Sequence, residues 1–241
     1  MPENLLYEGK AKKLFLTDQP DILHVYYKDD ATAFNGKKFA QLDGKGRLNN
    51  AITAYFFEFL AGEGIRNHFV RRISDTEQLV RKVEIIPLEV VVRNVAAGSL
   101  SRRIGWEEGQ ELPDPIVEYY YKDDDLGDPL LAEEHIRMLR LVDAVELAEL
   151  RSQALLVNRT LKSLLEPKGI LLVDFKLEFG RDENGSLLLA DEISPDTCRF
   201  WDGTTGAPIG LPRPHNHAVV AVAISGKVHA AVLAVASRSC A

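Results

Sequence analysis

The sequence has little cysteine and no excess of basic charge. Only Cys198 and Cys240 occur among 241 residues, too few for a disulfide framework and without the spacing of a metal site, so both are interpreted as thiols. The formal net charge is −7 and the pI is near 5.4. Proteins that bind a nucleic-acid backbone usually carry a basic surface. The composition therefore indicates small-molecule partners and no nucleic acid.

The sequence also lacks a secretory signal and an uninterrupted membrane span. Charged residues are already present between Met1 and Lys12, where a signal would have its apolar core. The apolar stretch from Ala218 to Ala236 carries Lys227 at its middle, where a charge costs about 2.5–3.5 kcal/mol on insertion. We therefore expect a cytoplasmic protein without a membrane anchor.

Acidic residues are absent from Gly203 to Ala241. Residues 1–202 hold all 36 acidic residues and have a net charge of −10, whereas the tail has three basic residues and a charge of +3. The tail is rich first in glycine and proline and then in alanine and valine. Its composition marks it as a different kind of sequence from the body.

The first 90 residues predict short β-strands, because runs rich in β-branched or aromatic residues are bounded by Asp, Gly or Pro. The predicted strands are Leu14–Leu16, Ile22–Tyr27, Phe69–Ile73 and Gln78–Ile85. One helix interrupts them, since apolar residues recur at helical spacing from Leu48 to Leu60, before Gly62 and Gly64 end it. We expect this helix to cover one face of a β-rich N-terminal lobe.

The C-terminal half predicts a helix followed by a β-hairpin. A helix is predicted from about Val145 to Glu166, and Asp143 and Glu146 are spaced as a capping-box variant. Its apolar stripe consists of Leu147, Leu150, Ala154, Leu161 and Leu164. Two apolar runs, 170–179 and 186–190, then flank a charged loop rich in glycine. Such a loop between two apolar runs is typical of a hairpin.

The first strand of this hairpin alternates between charged and apolar residues. Period-2 alternation places Asp174, Lys176 and Glu178 on one face. The other face carries Val173, Phe175, Leu177 and Phe179. If the hairpin closes, Asp191 and Glu192 come near Glu178, and convergent carboxylates beside an ammonium suit Mg²⁺ with nucleotide phosphates. The alternative is a solvated face whose charges pair with one another.

Two further segments suit phosphate groups. Residues 7–12 place a flexible glycine and two lysines between the first two strands, a geometry suited to covering a polyphosphate, although the P-loop pattern is absent. Residues 96–103 supply small residues, hydroxyls and arginines that match a phosphate monoester. The alternative for residues 7–12 is an ordinary basic turn. The alternative for residues 96–103 is a turn that leads into the basic start of a helix.

The remaining candidate segments are a strand and two acidic loops. The nearly apolar strand 86–94 fits either a hinge beside adenine or a buried structural strand. The acidic run 122–128 would orient an amine-bearing substrate, although such runs are usually solvated. In residues 194–202, Arg199 follows a proline turn and is suited to a substrate carboxylate or phosphate.

The chain resembles the phosphoribosylaminoimidazole-succinocarboxamide synthase (SAICAR synthetase) family over residues 5 to 202. Five motifs occur in the family's order: YEGKAK, IPLEVVVRN-x-AAGSL, PDPIVEYYYKDDDLGDPLL, LVDFKLEFG and LADEISPDTCRFWD. The resemblance implies a bilobal α+β fold similar to protein kinases and ATP-grasp enzymes. Residues 1–87 would form a β-rich ATP-covering lobe, residues 88–202 a mixed α/β lobe for substrate and metal, and residues 203–241 an atypical tail.

The family resemblance implies an ATP-dependent ligase of de novo purine synthesis. Such a ligase joins L-aspartate to the carboxylate of carboxyaminoimidazole ribonucleotide and yields SAICAR, ADP and phosphate. Mg²⁺ would be the cofactor and ATP the co-substrate, and a homo-oligomer is left open. Two alternatives are a small-molecule kinase, which would use the same ATP site, and an inactive nucleotide-binding homologue, because of the tail.

The resemblance also assigns roles by position. ATP would be bound by Lys10, Ala11, Lys12, Lys82, Glu89 and Val91. The metal ligands would be Glu178 and Asp191. The substrate-binding residues would be Arg93, Ser99, Asp196 and Arg199. The catalytic residues would be Lys176, Asp174 and Lys122.

The tail departs from the family pattern. After Asp202 the family usually continues into a lysine- and arginine-containing segment and a charged amphipathic helix, whereas this tail has no acidic residue. We therefore expect a frameshift in the reading frame from Gly203 onward. Resequencing the 3′ end of the gene tests this expectation.

Overall fold

A computed structural model of the chain describes residues 4–33 and 38–209. The predictions made for the tail beyond residue 209 lie outside the described residues. The strands are β1 (Leu5–Glu8), β2 (Lys12–Leu16), β3 (Ile22–Tyr27), β4 (Asp30–Ala33), β5 (Lys38–Gln41), β6 (Phe69–Arg72), β7 (Glu77–Arg81), β8 (Glu84–Val95), β9 (Glu111–Tyr121), β10 (Leu130–Leu131), β11 (Ile170–Arg181), β12 (Leu187–Ala190) and β13 (Cys198–Asp202). The α-helices are α1 (Lys45–Gly62), α2 (Ser99–Ile104), α3 (Glu133–Met138) and α4 (Ala144–Leu165).

The N-terminal half forms an antiparallel sheet of five strands in the order β1-β2-β3-β7-β6. Helix α1 contacts β3, β6 and β7, so the prediction that it covers this sheet is confirmed. The predicted strand Gln78–Ile85 is wrong, because two strands of different sheets occupy it. The amide of Lys82 donates to the carbonyl of Asp21 at 2.7 Å, and there the chain turns from β7 toward β8.

The second sheet has six antiparallel strands, and most of the buried core packs against it. Its order is β10-β9-β8-β11-β12, and β13 also pairs with β11. Helix α4 covers one face, where its apolar stripe packs against residues of β8 and β11. Burial of each large side chain there contributes about 1.5–3 kcal/mol. Strands β4 and β5 form a separate two-stranded sheet, and the sheets together with the helices make the fold α+β.

The face of β11 that packs on α4 differs from the prediction at one residue. Phe175, Leu177 and Phe179 lie in the main core, as their spacing predicts. Val173 instead belongs to a separate small cluster with Val95. A register shift against β13 between residues 172 and 174 interrupts the alternation and turns Val173 away from the main core.

Two buried asparagines join α4 to the second sheet. The Nδ2 of Asn94 in β8 donates to Oδ1 of Asn158 in α4 at 2.8 Å, and the Nδ2 of Asn158 donates back to Oδ1 of Asn94 at 2.9 Å. Asn94 also donates to the carbonyl of Leu172 at 3.0 Å. This reciprocal amide pair fixes the position of α4 relative to β8 and β11.

Helix α4 begins at a side-chain cap, as its sequence predicts. Asp143 accepts hydrogen bonds from the amides of Val145 and Glu146, both at 2.8 Å. The Glu146 carboxylate does not complete a capping box. It accepts two hydrogen bonds of 2.6 Å from Arg181, which ties the helix start to the end of β11.

The predicted hairpin is confirmed, with β11 extending two residues further, to Arg181. Glu178 lies opposite Ala190, so Asp191 follows directly at the end of the return strand. The chain continues to pack on the fold after Asp202, since the amide of Ile209 donates to the carbonyl of Phe200 at 2.7 Å. Among the described helices, none is both long and apolar enough to span a membrane.

Candidate active site

The candidate site occupies the face of the second sheet opposite to α4. Three cross-strand pairs of β8 and β11 lie on this face: Glu89 with Glu178, Val91 with Lys176, and Arg93 with Asp174. Glu118 and Tyr120 of β9 extend it, opposite Val91 and Glu89. Because residues two apart in a strand share a face, the polar residues of three neighbouring strands converge here.

Lysines neutralise the carboxylates at one end of this face. Lys176 Nζ donates to Glu89 Oε1 at 2.5 Å and lies 4.0 Å from Glu178 Oε1. Lys122, which follows β9, donates to the other oxygen of Glu178. Glu178 is thus a buried carboxylate between two ammonium groups.

A third lysine reaches the same place from the other sheet. Lys12 of β2 pairs with Asp191 and lies 3.0 Å from Oε1 of Glu192. The cluster of Lys12, Lys122 and Lys176 with these carboxylates therefore lies between the two sheets. Both residues that the sequence assigns to the metal, Glu178 and Asp191, are in it.

The pKa values of Glu178 and Asp191, the two residues assigned to the metal, are shifted in opposite directions. Burial and the charge of Asp191 raise the pKa of Glu178, against the effect of Lys122 and Lys176. Burial would also raise the pKa of Asp191, but the charges of Lys12 and Lys122 lower it to about 2. The rise in the pKa of Glu178 is thus due mainly to the loss of hydration on burial, with the neighbouring Asp191 charge as the second cause.

The donor set fits Mg²⁺ and phosphates better than a cage made by the protein alone. The described part of the chain contains no group of three or more His, Cys, Asp or Glu residues arranged to hold a metal. Mg²⁺ usually takes one or two carboxylates and completes its octahedron with water and phosphate oxygens. The Oε2 of Glu192 is buried without a hydrogen-bond partner in the described residues, so one further oxygen remains for such a cation.

The backbone at Asp191 is unusual. Its φ is 59°, in the left-handed region that residues other than glycine rarely adopt. Residues held in such conformations cluster at functional sites, because the surrounding contacts compensate for the strain. Here the side chain is fixed by Lys12 and remains about 25% exposed.

Arg93 organises the other end of the site. Its guanidinium donates to Glu118 at 2.6 Å, to Asp174 at 2.8 Å, to the Ser99 hydroxyl at 3.0 Å and to the Tyr120 hydroxyl at 3.2 Å. The sequence identified Arg93, Asp174 and Ser99. It missed Glu118 and Tyr120, although their spacing by two in β9 places them on the same face.

Arg199 joins this group through the same carboxylate. Its Nε donates to Asp174 Oδ1 at 2.6 Å, and a second nitrogen donates to the carbonyl of Ala97 at 3.3 Å. Gly98 has a φ of 57°, in the left-handed region that favours glycine, and a Cβ added there would overlap the guanidinium of Arg199. Glycine is therefore required beside this arginine. Arg103, also missed from the sequence, pairs with Glu118 and donates to the Tyr120 hydroxyl at 3.3 Å.

Asp196 is held by two residues that the sequence analysis did not single out. Its Oδ2 accepts from Lys45 and, at 2.9 Å, from Nδ2 of Asn49. Both donors come from the first turns of α1. The only sequence signal for them is a lysine at the start of a helix whose first turn has no acidic residue.

Of the other residues assigned to ATP, some lie near the lysine cluster and some lie apart from it. Exposed Lys10 pairs with Asp124 at 2.9 Å, between the turn before β2 and the acidic loop after β9. Ala11 precedes Lys12 in the chain, and Val91 is partly buried. Lys82 is exposed, and its side chain has no hydrogen bond or ion pair with any described residue.

Comparison with known proteins decides the family. A family model described as SAICAR synthetase matches residues 5–214, which is most of the chain and includes both ends of the site. The chain belongs to the SAICAR synthetase family. The family match continues twelve residues beyond Asp202, where the resemblance of motifs ended.

Relatives and solved structures of this family cover nearly the same part of the chain. The phosphoribosylaminoimidazole-succinocarboxamide synthase of Lysinibacillus sphaericus is 60% identical over 201 residues, 83% of this chain and 85% of the relative. The crystal structure of the synthase from Ehrlichia chaffeensis has a TM-score of 0.83 at 45% identity and covers 86% of this chain and 88% of that one. A SAICAR synthetase in complex with ADP has a TM-score of 0.81 at 51% identity and covers 84% and 86%.

Membership of the SAICAR synthetase family fixes the class of reaction. The chain is a phosphoribosylaminoimidazole-succinocarboxamide synthase type of ligase, and it uses ATP in purine biosynthesis. Lys176, Arg93 and Arg199 lie on the second sheet, and Lys12 reaches this face from the first sheet.

Proposed function

We propose that this SAICAR synthetase joins L-aspartate to carboxyaminoimidazole ribonucleotide, with Mg²⁺-ATP converted to ADP and phosphate. One observation carries the proposal: Lys12, Lys122 and Lys176 converge from two sheets beside Arg93 and Arg199. The ADP complex of a 51% identical SAICAR synthetase supports a nucleotide site in this fold. Three ammonium groups next to a guanidinium pair suit a polyphosphate next to a phosphate monoester.

The chemical difficulty is that a carboxylate resists attack by an amine. We propose that a carboxylate oxygen of the ribotide attacks the γ-phosphorus, so that an acyl phosphate forms and the bond to ADP breaks. The aspartate amine then attacks the activated carbon, the C–N bond forms, phosphate leaves with its electron pair, and the amine loses a proton. Lys12, Lys122 and Lys176 would neutralise the charge that develops on the transferred group.

The arginine group would bind the ribotide. Arg199 would present its guanidinium to the ribotide phosphate, and the Ser99 hydroxyl would add a hydrogen bond. Arg93, which already donates to Glu118, Asp174, Ser99 and Tyr120, would add its positive charge and its one remaining N–H. Asp174 accepts from both arginines and would keep them in this orientation. Asp196 would contact a substrate through its second carboxylate oxygen.

The remaining assignments concern ATP and its surroundings. Lys10 and Ala11 would cover the phosphates, Glu89 and Val91 would lie at the adenine, and Lys82 would lie near the nucleotide. We also propose that the protein is cytoplasmic, which cell fractionation would test. Light scattering would test whether it forms a homo-oligomer.

Glu178 and Asp191 would hold Mg²⁺, which when bound neutralises phosphate charge. Glu178→Gln removes one proposed ligand, and we expect the Mg²⁺ concentration for half-maximal activity to rise about 10-fold or more. The control is Glu166→Gln, which removes a carboxylate of an exposed pair with Lys162. An unchanged Mg²⁺ dependence in Glu178→Gln would contradict this assignment.

A coupled assay of ADP release tests the ligase reaction. The protein should release ADP only when aspartate and the carboxylated ribotide are both present. A small-molecule kinase would release ADP without aspartate. With ¹⁸O in the ribotide carboxylate, the acyl phosphate route transfers label to the released phosphate, and unlabelled phosphate would rule that route out.

A further inference from the structure

Three polar residues of α1 form a ridge that contacts one loop of the site. Lys45, Asn49 and Thr53 are spaced by four, so they lie on the same face of the helix. Lys45 and Asn49 donate to Oδ2 of Asp196. Thr53 donates through its hydroxyl to the carbonyl of Ile193 at 3.2 Å. The ridge thus fixes both ends of the loop 193–196.

This loop connects the two halves of the candidate site. It begins two residues after Asp191 and ends three residues before Arg199. Its own hydrogen bonds make it compact, since the amide of Thr197 donates to the carbonyl of Ser194 at 3.0 Å. The amide of Lys176 donates to the carbonyl of Thr197 at 2.9 Å. A displacement of the loop would therefore reach the lysine cluster and the arginine group together.

The position of Lys45 is unfavourable for the stability of α1. It is the first residue of the helix, where the macrodipole is positive, and the first turn contains no acidic residue. Only 3% of its side chain is exposed, so the ammonium also loses its hydration. Violations of local rules of this kind are expected at functional sites.

We propose that Lys45 is a positioning residue for the ligation, acting through Asp196. With Asn49, it fixes Oδ2 of Asp196, while Oδ1 has no hydrogen bond from a described residue and is free to accept one from a substrate. The ammonium of Lys45 is engaged by Asp196, so its effect on a substrate would run through that carboxylate. The inference rests on the proposed function, in which Asp196 binds substrate.

The test compares Lys45→Met with a variant of the neighbouring residue in the same helix. Asn50 is also buried, but it holds a different loop, with bonds to the carbonyls of Ser74 at 3.0 Å and Asp75 at 2.9 Å. We expect Lys45→Met to lower kcat/KM for the carboxylated ribotide about 10- to 100-fold. The Kd for ATP, measured by calorimetry, should stay within about two-fold. Asn50→Ala should leave both constants unchanged.

Two further variants keep the test decisive if Lys45→Met folds poorly. Lys45→Arg retains a cation and should recover part of the loss. Asn49→Ser removes the second donor to Asp196 without stranding a charge, and it should change the same constant in the same direction. Wild-type constants in Lys45→Met would overturn the inference alone. An equal loss of ATP affinity in Lys45→Met together with an equal loss of kcat/KM in Asn50→Ala would also overturn it. Lack of aspartate-dependent ADP release by the unmodified protein would overturn the proposed function as well.

Discussion

Asp174 is the residue on which the arginine group depends. It is buried and accepts hydrogen bonds from Arg93 and Arg199, so its charge offsets two guanidinium groups. Asp174→Asn keeps the shape but removes the charge, and we expect the free energy of unfolding to fall by about 3 kcal/mol. Urea denaturation measures this. Asp75→Asn, in an exposed pair with Arg72, should cost less than about 1 kcal/mol, and an equal loss in the two variants would contradict the prediction.

Asp191 makes a contribution to stability that depends on pH. Its pKa of about 2 in the folded protein is below the usual value for an aspartate, so the unfolded chain binds the proton more tightly. The contribution is therefore present above the unfolded pKa and is lost as the pH falls from about 4 toward about 2. We expect the difference in unfolding free energy between the unmodified protein and Asp191→Asn to narrow by about 2 kcal/mol over this range. A difference that stays constant or widens would contradict it.

At the scale of elements, the start of α1 lies against the end of β3. A Cβ added to Gly46 would lie 2.5 Å from the carbonyl oxygen of Tyr27. Gly46→Ala should therefore destabilise the protein by about 1–3 kcal/mol, as overpacking does. Gly62→Ala, at the other end of the same helix, has nothing within 4 Å and should be neutral or stabilising by up to about 1 kcal/mol. Thermal unfolding of both variants checks the contrast.

The elements themselves were predictable where local periodicity determines them. Alternation in β11 predicted the charged face of Asp174, Lys176 and Glu178, and the hairpin pattern brought Asp191 next to it. The contact between Lys12 and Asp191 joins residues 179 apart in the chain, which no local pattern encodes. Lys45 was missed for the same reason, because its partner Asp196 lies in another part of the sequence. The family resemblance supplied the roles that spacing alone left open.

At the scale of the whole molecule, ligand binding should stabilise both sheets together. Lys12 belongs to the first sheet, whereas Lys176 and Glu178 belong to the second, so Mg²⁺-ATP bound between them would contact both. We expect a ligand concentration 100 times Kd to raise the free energy of unfolding by about 2.7 kcal/mol. The transition should coincide in far-ultraviolet circular dichroism and in the fluorescence of Trp106 and Trp201. Earlier loss of the dichroism signal would show that the first sheet unfolds separately.

The reciprocal asparagines have a consequence for how this sequence can change over time. Asn94 and Asn158 are buried and each satisfies the other's amide, so replacing one alone leaves buried donors and acceptors unpaired at about 1–3 kcal/mol. Replacing both by apolar residues of similar shape removes that penalty for the two amides, while the Leu172 carbonyl loses its hydrogen bond from Asn94. Although they are sixty-four positions apart, the two residues are therefore coupled in stability: a change at one costs less when the other changes with it.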